Sequence, residues 1–157
     1  TPTQIRRYLN RVSGPFLDRI DIGVEVPRQD LGMMAAEKSI DEGSFPQTEQ
    51  RNSSAVMRAR VMEARVRQEK RFADESISYN SQMTRRQIEE YCRLSGEDAV
   101  FLEKVERQQG ISARGHGKIL KVARTLADLD GQAEIGRTQL AEAIGFRSFE
   151  KKYWGSL

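Results

Sequence analysis

Cysteine and histidine occur once each in this sequence, as Cys92 and His116. A single thiol excludes an internal disulfide and any multi-cysteine zinc site. One imidazole leaves little room for triad or acid–base chemistry built on histidine. No apolar run approaches the roughly 18 residues that a spanning helix needs. With a mean hydropathy of −0.66 and 31% charged residues, no membrane partner is expected. Large apolar side chains are scarce too: Val, Leu, Ile and Phe fill 35 of 157 positions. That is just above the level at which chains fail to fold, so a modest core is expected, in one domain or two small ones. The chain opens with Thr1-Pro2-Thr3, without initiator Met or signal-peptide pattern. It is expected to be a piece of a longer cytoplasmic protein.

What is present in quantity is charge, unevenly spread. The formal net charge is only +3, yet residues 51–71 hold seven bases (Arg51, Arg58, Arg60, Arg65, Arg67, Lys70, Arg71) against Glu63 and Glu69. A basic helix face attracts phosphate, of a nucleic acid or of a nucleotide. The alternative is a solvated face whose arginine stems cover apolar surface. Charge alone favours that second reading.

Residues 4–12 place Ile5, Tyr8, Leu9 and Val12 at helical spacing, and Ser13-Gly14-Pro15 ends that helix. Ile20, Ile22, Val24 and Val26 then alternate with Asp21, Gly23 and Glu25, which predicts a half-buried strand stopped by Pro27. No second convincing strand follows. A lone strand cannot satisfy its ladder, so its sheet is expected upstream of Thr1. Residues 31–51 lack a sustained period and read as a linker.

Beyond it, Asn52 or Ser53 caps a helix to about Phe72, with Ala55, Ala59, Met62 and Val66 as its predicted buried stripe and the arginines on the flanks and back. A soft stretch over 73–83 precedes a short helix over 84–92. Ser95 with Asp98 has the form of a capping box and opens a helix that stops at Gly110. Ser112 caps the strongest helix, whose stripe is Ile119, Val122, Ala123, Leu126 and Leu129 and which Gly131 ends. A last helix runs from about Thr138 to Phe146 through Leu140, Ala143 and Ile144, and Trp154 is a candidate anchor for the tail. The expected architecture is mainly α: a helix–strand remnant, a linker, then a helical bundle.

Gly110 and Gly115 have the spacing of a phosphate-binding P-loop, but His116 stands where lysine is required and no strand precedes them. The P-loop mechanism needs strand, loop and helix in order with Lys on the β/γ-phosphates. The pattern is a decoy, and the chain is not expected to hold ATP through a Walker A loop.

The ordered motifs are more specific. Ser13-Gly14-Pro15-Phe16-Leu17-Asp18-Arg19-Ile20-Asp21-Ile22, followed by Val24-Glu25-Val26-Pro27, resembles the signature of the magnesium-chelatase-like AAA+ ATPases, especially their ComM competence-protein branch. The resemblance continues through Ser53-Ser54-Ala55, Arg58, Arg60-Val61, Ala64-Arg65, Gln68 and Phe72. It is strongest at Ser112-Ala113-Arg114, at Ile119 to Leu129, and at Leu140 to Ile144 with Phe146-Arg147. Such proteins are hexameric ATPases with a large α/β nucleotide domain and a smaller helical lid. The resemblance implies that residues 1–30 are the end of the α/β core, 31–51 the linker and 52–157 the lid. It implies ATP and Mg2+ in the full-length protein, with Walker A and B upstream, so that the fragment alone is inactive and binds neither.

By the same resemblance Arg19 is the arginine finger, acting on a neighbouring subunit's ATP, and Arg114 is sensor 2 at the γ-phosphate. A planar guanidinium offers paired donors to the charge that builds on a transferring phosphoryl group. For Arg19 the competing reading is a local salt bridge to Asp18 or Asp21. Arg114, in the first turn after Ser112, opposes the helix dipole by ~0.3–1 kcal/mol, which suggests an external anion; the alternative is an exposed arginine tolerating a small cost. Gly115 and Gly117 depart from the bulkier residues of the family. His116 reads as a packing or hydrogen-bonding residue with no orienting partner nearby. Arg124, placed opposite the buried stripe, is a candidate contact to nucleotide or to a neighbouring subunit, with an i,i+4 pair to Asp128 as the default. Cys92 reads as a core thiol. Arg58, Arg60, Arg65 and Arg67 are candidate nucleic-acid contacts, and no metal ligands are expected. The implied activity is DNA remodelling by branch migration. A magnesium-chelatase motor and a stand-alone basic DNA-binding module are the alternatives.

Overall fold

The computed structural model describes Arg7, Arg11, Phe16, residues 19–26 and residues 53–147. Among the described residues the regular elements are α1 (Ser54–Arg71), a short 3-10 turn (Asn80–Gln82), α2 (Arg85–Tyr91), α3 (Gly96–Gln109), α4 (Ala113–Leu129) and α5 (Arg137–Gly145), with no strand.

Local chemistry sets the helix boundaries. Ser53, Thr84, Ser95 and Ser112 each accept a backbone N–H of the first turn of α1, α2, α3 and α4, satisfying a donor that has no partner within the helix. At Thr84 the cap is reciprocal, since Gln87 Oε1 accepts the Thr84 N–H at 2.9 Å. Gly110 closes α3 in the left-handed region at φ 68°, which costs a residue without Cβ nothing. The glycine pattern that imitates a P-loop is therefore the end of one helix and the first turn of the next.

Helix α4 is central, packing against α1, α2, α5 and the 3-10 turn, while α3 leans on α5. Ala123, Ala127 and Leu140 are fully buried and Ile119, Leu102 and Ala143 nearly so. Phe72 and Tyr91 meet edge to face at 5.4 Å.

The buried face of α4 is turned slightly from the predicted stripe. Ile119, Leu120, Ala123, Arg124, Ala127 and Asp128 are buried, while Val122, Leu126 and Leu129 are half-buried. For α1 the reversal is larger. Its buried residues are Ala64 and Gln68, whereas Ala55 and Ala59 are exposed and Met62 and Val66 are 51% and 43% exposed. The side toward α4 is the one bearing Arg67 and Arg71, which bond to the backbone carbonyl and the buried carboxylate of Asp128 respectively.

The strand predicted over 20–26 is not formed. With no ladder neighbour among the described residues, the segment bonds to the bundle instead: Gly23 N–H donates to Phe146 O at 2.9 Å. Its apolar side chains Ile22, Val24 and Val26 are 50%, 69% and 84% exposed, as on a strand without its sheet. The helix predicted over 4–12 (Arg7 and Arg11 apart), the linker over 31–51 and Trp154 lie outside the described residues.

Candidate functional site

The first turns of α4 border a groove of about 1050 Å³ between α2 and α3. Ile88, Leu94, Leu102 and Leu120 give it an apolar floor, and Arg114, His116, Lys118 and Lys121 stand along one side. Ser112 Oγ accepts the Gly115 N–H at 3.1 Å and fixes where α4 begins. Arg114 is exposed and makes no hydrogen bond or ion pair among the described residues. Among the described residues a cation thus stands beside the positive end of a helix without an ion-pair partner.

His116 has the orienting partner that sequence reasoning did not find. Its Nδ1 lies 2.6 Å from Glu106 Oε1, joining the start of α4 to the end of α3. The two glycines beside it differ in use. A Cβ on Gly115 would stand 2.7 Å from Ile111 Cγ2, so the helix passes too close to its neighbour for any side chain. At Gly117 the nearest atom would be Ile88 Cδ1 at 3.5 Å, an ordinary contact.

Arg19 sits in a turn, its N–H donating to Phe16 O at 3.0 Å, with its side chain exposed. Asp21, one of the local partners open to it, is engaged elsewhere: Lys118 Nζ is 2.7 Å from Asp21 Oδ1. Among the described residues the Arg19 guanidinium therefore has no carboxylate, and Asp18 lies outside them.

Arg124 requires correction. It is 2% exposed rather than on an outer face, and its terminal nitrogens donate to Ala133 O at 2.8 Å and Gln132 O at 2.7 Å. The default i,i+4 pair is formed, with Arg124 Nη2 3.2 Å from Asp128 Oδ1. Burial pulls this guanidinium below its ordinary pKa, and the Asp128 charge works against that shift. Its Nε is buried without a hydrogen bond. A group so enclosed closes the loop after α4.

The basic helix is divided in its use. Arg67 donates to Asp128 O at 3.1 Å, and Arg60 lies 3.9 Å from Asp130. Arg65 stacks over Tyr79 at 5.5 Å. Arg58 is exposed. The contacts missed from sequence are those of Arg71, Lys118 and Arg147, whose partners lie far along the chain, 57 residues for Arg71–Asp128 and 127 for Arg147–Ile20. No local spacing announces such pairs.

Cys92 is buried and lines the groove floor. Burial pushes its thiol up to about 11, so it stays protonated and unreactive near neutrality. Among the described residues no group of three or more His, Cys, Asp or Glu is placed to hold a metal, and no helix is long and apolar enough to cross a membrane.

Residues 51–147 match the family described as magnesium chelatase, subunit ChlI, C-terminal, and residues 1–34 match magnesium chelatase, subunit ChlI. The chain belongs to the magnesium chelatase ChlI family. Its bundle is the C-terminal helical lid domain of that AAA+ family. This ChlI-family chain is 41% identical over 94% of its length to the competence protein ComM of Haemophilus influenzae, covering 26% of that protein. It is 40% identical over 96% of its length to the uncharacterized protein YifB of Escherichia coli, covering 27% of it. It is 30% identical over 90% of its length to the uncharacterized protein Rv2897c of Mycobacterium tuberculosis, covering 26%. The chain thus spans about a quarter of the length of the curated relatives it matches. For the full-length protein the family implies ATP and Mg2+.

Proposed function

We propose that this chain is the lid-bearing, C-terminal part of a cytoplasmic, hexameric ATP-driven motor of the ComM type that remodels DNA by branch migration. Residues 1–30 end the α/β core, 31–51 link it to the lid, and 52–157 form the lid. Arg19 serves as the arginine finger toward a neighbouring subunit's ATP, and Arg114 as sensor 2 at the γ-phosphate. When bound, Mg2+ neutralises charge on the phosphate oxygens. The chain's own contribution is two cationic donors.

The observation that carries this reading is the state of those two guanidinium groups. Both are exposed and unpaired among the described residues, although Asp21 is two positions from Arg19 and is held by Lys118 instead. Arg67, Arg71, Arg124, Arg137 and Arg147, by contrast, are engaged within the fold, while Arg58, Arg86 and Arg93 are exposed as well, so that the motifs around Arg19 and Arg114 single out these two. A free guanidinium at a helix start and another in a surface turn suit an anion that arrives from outside. The first turn of α4 offers the cation Arg114 to a triphosphate, while the groove beside it also carries Glu89, Glu103 and Glu106.

Arg19→Ala and Arg114→Ala in the full-length protein are expected to lower ATP turnover by about 10³-fold, the order lost with an arginine finger, while circular dichroism stays that of the wild type. Turnover at the wild-type rate in either variant removes that residue's role. A chelatase motor uses the same two arginines and differs only in the substrate, which a branch-migration assay on four-way DNA junctions decides. The stand-alone DNA-binding module is disfavoured by the inward turn of Arg67 and Arg71. It predicts tight DNA binding by this chain alone with a steep salt dependence, where the motor reading predicts little affinity.

A further inference from the structure

Three contacts fasten the Arg19 turn to the bundle, all at the end where Arg114 stands. Lys118 Nζ pairs with Asp21 Oδ1 at 2.7 Å, and the lysine side chain is only 16% exposed. Arg147, 4% exposed, donates from Nη1 to Ile20 O at 3.0 Å. Gly23 N–H donates to Phe146 O at 2.9 Å. Lys118 follows Arg114 by four residues, so both lie on one face of α4. Arg147 approaches the same turn of α4 from elsewhere: its guanidinium carbon is 3.8 Å from the place a Gly115 Cβ would occupy. A Gly115 Cβ would thus touch, in ordinary contact, the very residue that holds Ile20.

Apolar burial does not hold this segment, since Ile22, Val24 and Val26 are half or more exposed. The attachment is polar, directional and made by two cations withdrawn from water, where charge-assisted bonds are firmest. Resting on the reading of Arg19 and Arg114 as the groups that serve ATP, we infer that Lys118 and Arg147 are positioning residues. They tie the Arg19 turn to α4, so that the two ATP-directed arginines travel as one body with the lid. A shift of the lid then moves the finger as well as sensor 2, and a finger loosened from α4 loses its aim without losing its charge.

The test has two readouts. In the 157-residue chain, Lys118→Ala and Arg147→Lys are expected to speed amide exchange of Gly23 by about tenfold or more while the α4 amides keep their protection. The charge swap Asp21→Lys with Lys118→Asp restores it. In the full-length protein the same two variants lower kcat by about tenfold or more at unchanged KM, and the swap recovers turnover. Arg19→Ala sets the reference: wild-type turnover in that variant overturns the ATP reading itself. If Arg19→Ala is inactive while Lys118→Ala and Arg147→Lys turn over normally, the ATP reading stands and the positioning role is wrong. Unchanged Gly23 exchange in both variants also overturns the positioning role, whatever the turnover.

Discussion

Arg71 grips Asp128 with both terminal nitrogens, joining α1 to α4 at a carboxylate that is wholly closed to water. The same carboxylate accepts from Asn80 Nδ2 at 2.8 Å and pairs with Arg124 at 3.2 Å. Gln68 extends the set by accepting the Asn80 N–H at 3.0 Å. Two cations and one amide converge on one acid, so every oxygen lone pair that burial takes from water is answered.

Removing the acid leaves both guanidinium groups without their shared counter-charge. Asp128→Ala is expected to destabilise the fold by about 3–5 kcal/mol, the cost of breaking a buried pair. Arg85→Ala, which breaks an ion pair to Glu89 whose side chains are 95% and 65% exposed, should leave stability within error of the wild type. Urea midpoints of the two variants measure the contrast, and equal midpoints would refute the structural weight given to Asp128.

Two neighbouring glycines should respond in opposite directions. In a helix interior, Gly→Ala ordinarily gains about 0.5–1 kcal/mol. At Gly117 the added carbon meets only Ile88 Cδ1 at 3.5 Å, so the gain stands. At Gly115 it meets Ile111 Cγ2 at 2.7 Å, and overpacking of about 1–3 kcal/mol outweighs the gain. Thermal melts should therefore rank Gly117→Ala above the wild type and Gly115→Ala below it.

The Arg137 hydrogen bond to Asp98 Oδ1 holds that carboxyl below the usual range; burial opposes the shift and the Ser95 hydroxyl adds to it. Because the folded pKa is depressed, the unfolded chain binds more protons in the interval between the two values. The resulting stability is complete above the ordinary aspartate value of about 3.9 and is lost as pH falls through the folded one. Arg137→Gln should raise the acid-unfolding midpoint and leave the approach to neutrality flat, and acid titration followed by circular dichroism reads it.

Cys92, 3% exposed and with its thiol near 11, should resist alkylation by iodoacetamide at pH 7.5 in the native chain and react at once when unfolded. Native labelling as fast as unfolded labelling would mean that the groove opens to its floor.

Where helices begin and end was legible because caps act within four residues. Ser53, Thr84, Ser95 and Ser112 bond to backbone of their own first turns, and Gly110 needs only its missing Cβ. The ChlI-family motifs around Arg19 and Arg114 were legible for a related reason: their order and spacing are carried by the sequence itself. The buried face of α1 was not legible. That helix has an apolar stripe at helical spacing through Ala55, Ala59, Met62 and Val66, and periodicity alone prefers it to a face bearing Arg67 and Arg71.

The sequence alone determined where the helices within residues 53–147 begin and end, since each limit rests on chemistry between near neighbours in the chain. Only the tertiary structure decided which of the many arginines are enclosed. Arg71 finds Asp128 at a separation of 57 residues, and Arg147 finds Ile20 at 127. A charge is assigned its partner by the low-dielectric interior that folding creates, and that interior does not exist until distant segments meet.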